Sequence, residues 1–277
     1  SAFLALARDG TGQRPRDALF WGGDCLYEQG DYVNAQRRFQ QYLQQYPNGR
    51  HAAAAQYALG WTHFRQRQYQ PAASSFRTFL DAYREPDREI PYRQDARLRL
   101  ADSYYALKQY DNAIAEYRRV DGQGVDYALY QTGEALSRAD RNDEAIRTLR
   151  RLVDEYPDSP WRGEAQFRIG FIHFQNQDYA AAREAYQTLI RRQPSERLAA
   201  RAQYGIGDTY YNAGEMQQAV DAYLVVLHDY PESAFAPEAA SSLQYALLAS
   251  GDPDRAEQVI EDFARENPGS PMVDELR

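Results

Sequence analysis

The chain has 277 residues, of which 43% are apolar and 26% charged, the balance of a folded protein rather than a disordered one. No apolar run approaches the ~18 residues a membrane span needs, and the single cysteine, Cys25, excludes an intramolecular disulfide or a cysteine-based metal site. The net charge of −8 falls entirely from Asp229 onward, where acids outnumber arginines and residues 1–228 balance; this argues against a nucleic-acid surface.

In chain order, residues 1–10 read as the end of a preceding helix, with Phe3–Arg8 its apolar tail. Seven two-helix units follow, at about 16–47, 53–84, 94–124, 126–157, 163–194, 200–231 and 237–268. Residues 270–277 read as the start of another unit, so the sequence is expected to be a piece of a longer array. Cys25 falls within the first helix and is expected to be a small packing residue.

The segment Pro157–Pro194 is the cleanest copy of the unit. Ser159-Pro160 is a helix-start signal, with serine as cap and proline at a position whose N–H needs no partner. Helix A is expected from about Trp161 to Gln175. Asp178 is expected to cap helix B, which stops before Pro194. Gly170 on helix A is expected to face Ala182 on helix B, since a bare glycine inside a helix costs about 1 kcal/mol and needs a close neighbour as compensation.

Two series keep the phase. The small residue of helix A is Gly23, Gly60, Ala101, Gly133, Gly170, Gly207 and finally Gln244. The alanine of helix B is Ala35, Ala72, Ala113, Ala145, Ala182, Ala219 and Ala256, always at the same distance from its partner. A bulky residue follows four positions later, as in Phe39, Phe76, Tyr117, Tyr186 and Tyr223. The spacing between units is irregular twice. Arg84–Arg93 lengthens one step, and Asp121–Gly124 shortens the next, predicting a local change of path there. Gln244 replaces the small residue in the seventh unit, which predicts looser packing.

No catalytic constellation emerges. His63 and His173 occupy the same helix-A position three units apart and read as packing residues; His51 lies in a linker and His228 near a helix end. No zinc-protease, nucleophile-elbow or phosphate-loop motif is present. Gly205-Ile206-Gly207 follows no strand and sits in the helix-A phase, so it is not a dinucleotide loop. The expectation is a non-enzymatic protein without cofactor or metal.

A small residue in helix A, an alanine twelve positions later, an aromatic four after that and a closing proline together resemble the tetratricopeptide repeat. The resemblance covers essentially the whole chain. It implies an all-α, right-handed solenoid of helix-turn-helix repeats that binds a protein or peptide on a concave helix-A surface. The Tyr46-Pro47, Tyr156-Pro157 and Tyr230-Pro231 closures are similar to those of members in the bacterial cell envelope, such as the Tol–Pal coordinator and the outer-membrane assembly lipoprotein. They imply a periplasmic or outer-membrane-associated location, with the cytoplasm as the alternative.

On helix A, the positions three before, one after and four after the small residue form one stripe. It reads Tyr57, Trp61 and Phe64 in repeat two, and Phe167, Phe171 and Phe174 in repeat five. Repeats one, three, four and six carry an acid at its centre: Asp24, Asp102, Glu134 and Asp208. Tyr105 and Tyr211 end the stripes of repeats three and six. The first aromatic of each stripe is expected to pack between adjacent A helices. The others are expected to anchor a partner segment, with basic residues of that partner facing the acids. Family members that clamp acidic chaperone termini use a lysine and an asparagine on this stripe; both are missing here. The alternatives are a regulatory domain of a larger enzyme and an RNA-reading helical repeat.

Overall fold

A computed structural model describes residues 13–82, 92–192, 194–251, 253–270 and 272–273. Residues 1–10, most of Arg84–Arg93 and most of 270–277 therefore lie outside the described residues, and with them the expected flanking repeats and the longer of the two irregular linkers. The described residues hold fourteen α-helices and no strand. The chain divides into two compact units at Arg141 and Asn142.

The first unit contains α1 (Gln13–Glu28), α2 (Tyr32–Gln45), α3 (Ala52–Arg65), α4 (Tyr69–Ala82), α5 (Arg93–Ala106), α6 (Tyr110–Tyr117) and α7 (Val125–Arg138). The second contains α8 (Asn142–Glu155), α9 (Arg162–Gln175), α10 (Tyr179–Arg191), α11 (Glu196–Asn212), α12 (Met216–Asp229), α13 (Ala236–Ser250) and α14 (Pro253–Glu266). Within each unit every helix packs mainly on the one before and the one after it in sequence. This is the all-α solenoid class, in which no helix pair buries its apolar face alone.

The turn from helix A to helix B is the same object each time. Seven residues after the small residue, the backbone enters the left-handed region: Gly30, Arg67, Lys108, Asp140, Gln177, Gly214 and Gly251 all have φ between 58 and 79°. This conformation lets two N–H groups return to the last turn of helix A. At Gln177 the bonds run to the Phe174 carbonyl and, from Asp178, to the His173 carbonyl, each at 2.9 Å. They satisfy carbonyls that a helix end leaves open. Asp178 then caps α10 as expected, accepting from the Ala181 N–H at 3.3 Å. Asp31 does the same for α2 through the Asn34 N–H at 3.2 Å.

At the start of α9, Ser159 Oγ accepts from the Trp161 N–H at 3.1 Å, and the helix itself begins at Arg162. Ser270, three repeats later, accepts from the Met272 N–H in the same way.

The helix-A glycine has a different partner from the one expected. A Cβ built on Gly170 would lie 2.6 Å from the Tyr186 ring, and one on Gly60 2.7 Å from the Phe76 ring. Gly23 meets Phe39 and Gly207 meets Tyr223 in the same manner. The ring four residues beyond the alanine, and not the alanine itself, fills the space the glycine leaves. Ala182 is fully buried, but a methyl group does not reach as far as a phenol. The rings are among the largest fully enclosed side chains of the core.

The seventh pair is looser, as Gln244 suggests. The helix-B alanine is completely buried in the six earlier repeats, whereas Ala256 is partly exposed. The two helices α13 and α14 pack on each other less extensively than α9 and α10 or α11 and α12 do. Cys25 corrects another expectation: it lies in α1 but on its exposed side, not in the core.

Candidate functional site

The first aromatic of the stripe is a spacer between neighbouring A helices. Phe20 stacks on His51, with ring centroids 4.5 Å apart and planes within 1°. The Tyr57 hydroxyl donates to Asp95 at 2.6 Å, Phe167 lies 3.8 Å below the Arg201 guanidinium, and the Tyr204 and Ser242 hydroxyls are 3.1 Å apart. In each case the partner belongs to the start of the following repeat or its helix A.

The third position serves its own hairpin. Phe64 meets Tyr69, Tyr105 meets Tyr110, and Phe174 meets Tyr179, with centroids 5.5 to 5.9 Å apart. These are edge-on or tilted contacts that aromatic quadrupoles favour. They latch the end of helix A to the first residue of helix B. Tyr211, at the same position in repeat six, is packed against the core of the second unit.

The central position separates the repeats. Trp61 donates its indole N–H to Asp95 at 3.1 Å and lies under two guanidinium groups, Arg99 at 5.2 Å and Arg65 at 5.5 Å. Phe171 rests beside Phe167 under Arg168, which is 5.2 Å from its centroid. Both rings are half-buried, and arginine faces are already laid against them.

The acids at this position have work inside the fold. Asp102 accepts from the Tyr117 hydroxyl at 2.5 Å and the Tyr127 hydroxyl at 3.0 Å, and it pairs with Arg99. Burial raises its pKa, while Arg99 and the two tyrosines pull it back down. Asp208 accepts from the Tyr223 hydroxyl at 2.8 Å. The Tyr223 and Tyr204 hydroxyls pull its pKa down, but burial outweighs them and pushes it up to about 6. Both carboxylates hold the helix-B ring rather than presenting themselves to a partner. The sequence signal for this was the pairing of an acid at the stripe centre with a tyrosine fifteen residues later.

Repeat one breaks that pairing. Its central acid is Asp24, but the ring fifteen residues on is Phe39, which has no hydroxyl. Asp24 faces instead a groove between α1 and α3 of 460 Å³. From α1 the groove takes Phe20, Trp21, Asp24, Tyr27 and Glu28; from α3 it takes Ala54, Tyr57, Ala58 and Trp61. His51 lies at one side and Tyr92 at its rim, stacked on Tyr57 at 4.9 Å. Trp21 is 42% and Tyr92 59% exposed. Tyr92 has a left-handed backbone, φ 75°, at the start of α5, an unfavourable conformation for a bulky residue and one that recurs at binding sites. Thus the structure brings Tyr57 and Trp61 together with Trp21, Tyr27 and Tyr92. It leaves Phe167, Phe171 and Phe174 as a separate strip in the second unit. Trp21 and Tyr92 were not candidates in the sequence, because they lie off the stripe.

Profiles of the tetratricopeptide repeat match residues 20–85, 57–126, 127–159 and 167–234. The chain belongs to the tetratricopeptide-repeat family. Among solved structures, this array is similar to a tetratricopeptide repeat protein from Parabacteroides merdae, with 17% identity over 94% of this chain and 96% of that one, TM-score 0.61. It is also similar to YrrB, described as a tetratricopeptide protein with an unusual peptide-binding site, with 20% identity over 73% and 97% of the two chains and TM-score 0.55. MamA from Desulfovibrio magneticus matches with 18% identity over 65% and 97%, TM-score 0.53. These likenesses concern the fold. No curated protein matches the array in sequence. No described helix is long and apolar enough to cross a membrane.

Proposed function

We propose that this tetratricopeptide array is a non-enzymatic scaffold that binds a protein or peptide segment on its helix-A face, with the groove between α1 and α3 as the main docking place. The observation that carries the reading is the groove itself: aromatic rings exposed along its edge, with carboxylates among them. Aromatic anchors in such clefts supply most of the binding energy of protein interfaces. The family's role as an interaction scaffold and the peptide-binding site ascribed to YrrB support it. The strip Phe167, Phe171 and Phe174, with Tyr105 and Tyr211, is a secondary contact for a longer segment.

The test uses residues that the core does not need. Trp21→Ala with Tyr92→Ala is expected to weaken a captured partner by about 2 kcal/mol or more, measured by calorimetry on the folded variant. Undiminished affinity overturns the reading. An envelope location is supported by the tyrosine-proline closures, and fractionation of cells producing the full-length protein tests it; recovery in the cytosol sinks it.

A further inference from the structure

We propose that the groove between α1 and α3 takes a cationic side chain, lysine or arginine, from the partner segment, seated among the rings with its charge at Asp24 and Glu28. This rests on the helix-A face being the docking surface.

The argument begins with an acid left over. In repeats three and six the central aspartate is used up by the helix-B tyrosine, at 2.5 and 2.8 Å. In repeat one the corresponding ring is Phe39, so no hydroxyl reaches Asp24. Among the described residues neither Asp24 nor Glu28 makes a hydrogen bond or an ion pair. The two stand one helical turn apart on α1, where like charges destabilise a helix. Burial and the Glu28 charge both push the Asp24 pKa up, so the site as it stands disfavours its own charge. A cation from outside would relieve the repulsion and compensate the carboxylate for its burial.

The aromatic walls fit the same guest. Trp21, exposed at the groove edge, offers an indole face, the best of the ring partners for a cation. Trp61 already carries two guanidinium groups, Arg99 and Arg65, and the Arg65 Nε donates to the Tyr27 hydroxyl at 3.3 Å. The chain thus demonstrates internally that a guanidinium rests against an indole of this groove. The other acid nearby, Asp17, is paired with Arg50 and His51. What is open in the groove is aromatic and negative.

The probes are acetylated, amidated alanine-glycine peptides carrying arginine, lysine, norleucine or glutamate at two positions, titrated into the whole chain. The readout is the indole N–H resonance of Trp21 and Trp61. Saturable shifts are expected with the arginine or lysine peptide and none with glutamate. Asp24→Asn with Glu28→Gln is expected to weaken binding about tenfold or more, and raising salt from about 0.05 to 0.5 M is expected to weaken it too. These variants preserve side-chain shape, and circular dichroism confirms folding. Equal binding of the norleucine peptide, or full binding by the double variant, overturns the cation site while leaving the docking surface in place. Saturable shifts of backbone amides in helix B, followed in the same titrations with neither indole resonance moving, overturn both. Absence of any shift with the cationic peptides also overturns the cation site.

Discussion

At the scale of single residues, the carboxylates divide by what stands opposite them. Asp208 shows the cost of a buried acid with only tyrosine hydroxyls, those of Tyr223 and Tyr204, for company. Its pKa rises from 3.8 to about 6, so the folded chain holds the proton more tightly than the unfolded chain. The resulting stabilisation is present below the unfolded pKa and disappears as pH rises through about 6. Asp208→Asn keeps an acceptor for Tyr223 and removes the charge. The variant is expected to be more stable than the parent at pH 7.5 by on the order of 1–3 kcal/mol. The difference should shrink towards pH 4. Denaturant unfolding at the two pH values measures it, and a gap that is the same at both rejects the assignment. The sequence exposed the acids at the stripe centre but not their direction. Asp102 and Asp208 read as acids presented to a basic partner, because a one-dimensional stripe does not show that a phenol from helix B reaches underneath.

At the scale of the helix pair, the small residue and the ring define how closely A and B approach. Their positions were legible, and so was the Asp178 cap. The glycine's contact differs from the one expected, since spacing alone does not tell a methyl partner from a ring one turn further along helix B. Gly170→Ala puts a carbon where the Tyr186 ring lies. Overpacking of this kind costs about 1–3 kcal/mol, and the better helix propensity of alanine returns at most about 1. A net loss of about 1–2 kcal/mol is expected by chemical denaturation; an unchanged midpoint contradicts the contact. The A–B turn was less legible. Arg67, Lys108, Asp140 and Gln177 adopt the left-handed backbone without being glycine. Its signal lies in position, seven after the small residue, and only Gly30, Gly214 and Gly251 advertise it by residue type. The returning hydrogen bonds and the docking of helix B compensate for strain of about 1–2 kcal/mol at each of the others.

At the scale of the whole molecule, stability in a repeat array is close to a sum of repeat and junction contributions. The weakest contribution in the second unit belongs to the seventh pair, where Gln244 stands at the glycine position and Ala256 is partly exposed. Backbone amides of α13 and α14 are expected to exchange with solvent earlier than those of α11 and α12. Hydrogen exchange by mass spectrometry checks this, and simultaneous exchange of the four helices contradicts it. The class of fold was readable because a period repeated seven times outweighs any single misjudged residue. The groove was not, because Trp21 and Tyr92 come from outside the periodic positions. The Tyr186 ring carries a further implication. It touches Gly170 of its own repeat and also Gly205 of the next, where an added Cβ would lie 2.9 Å away. The equivalent position in repeat three is Arg99 and in repeat four Gln131. Those repeats seat a long side chain beside the preceding ring, Phe76 or Tyr117, whereas the helices at the fifth seam stand close enough to require a glycine as they now lie. Near-copies of one unit are therefore not interchangeable at that seam unless the helices shift, even where every motif is preserved.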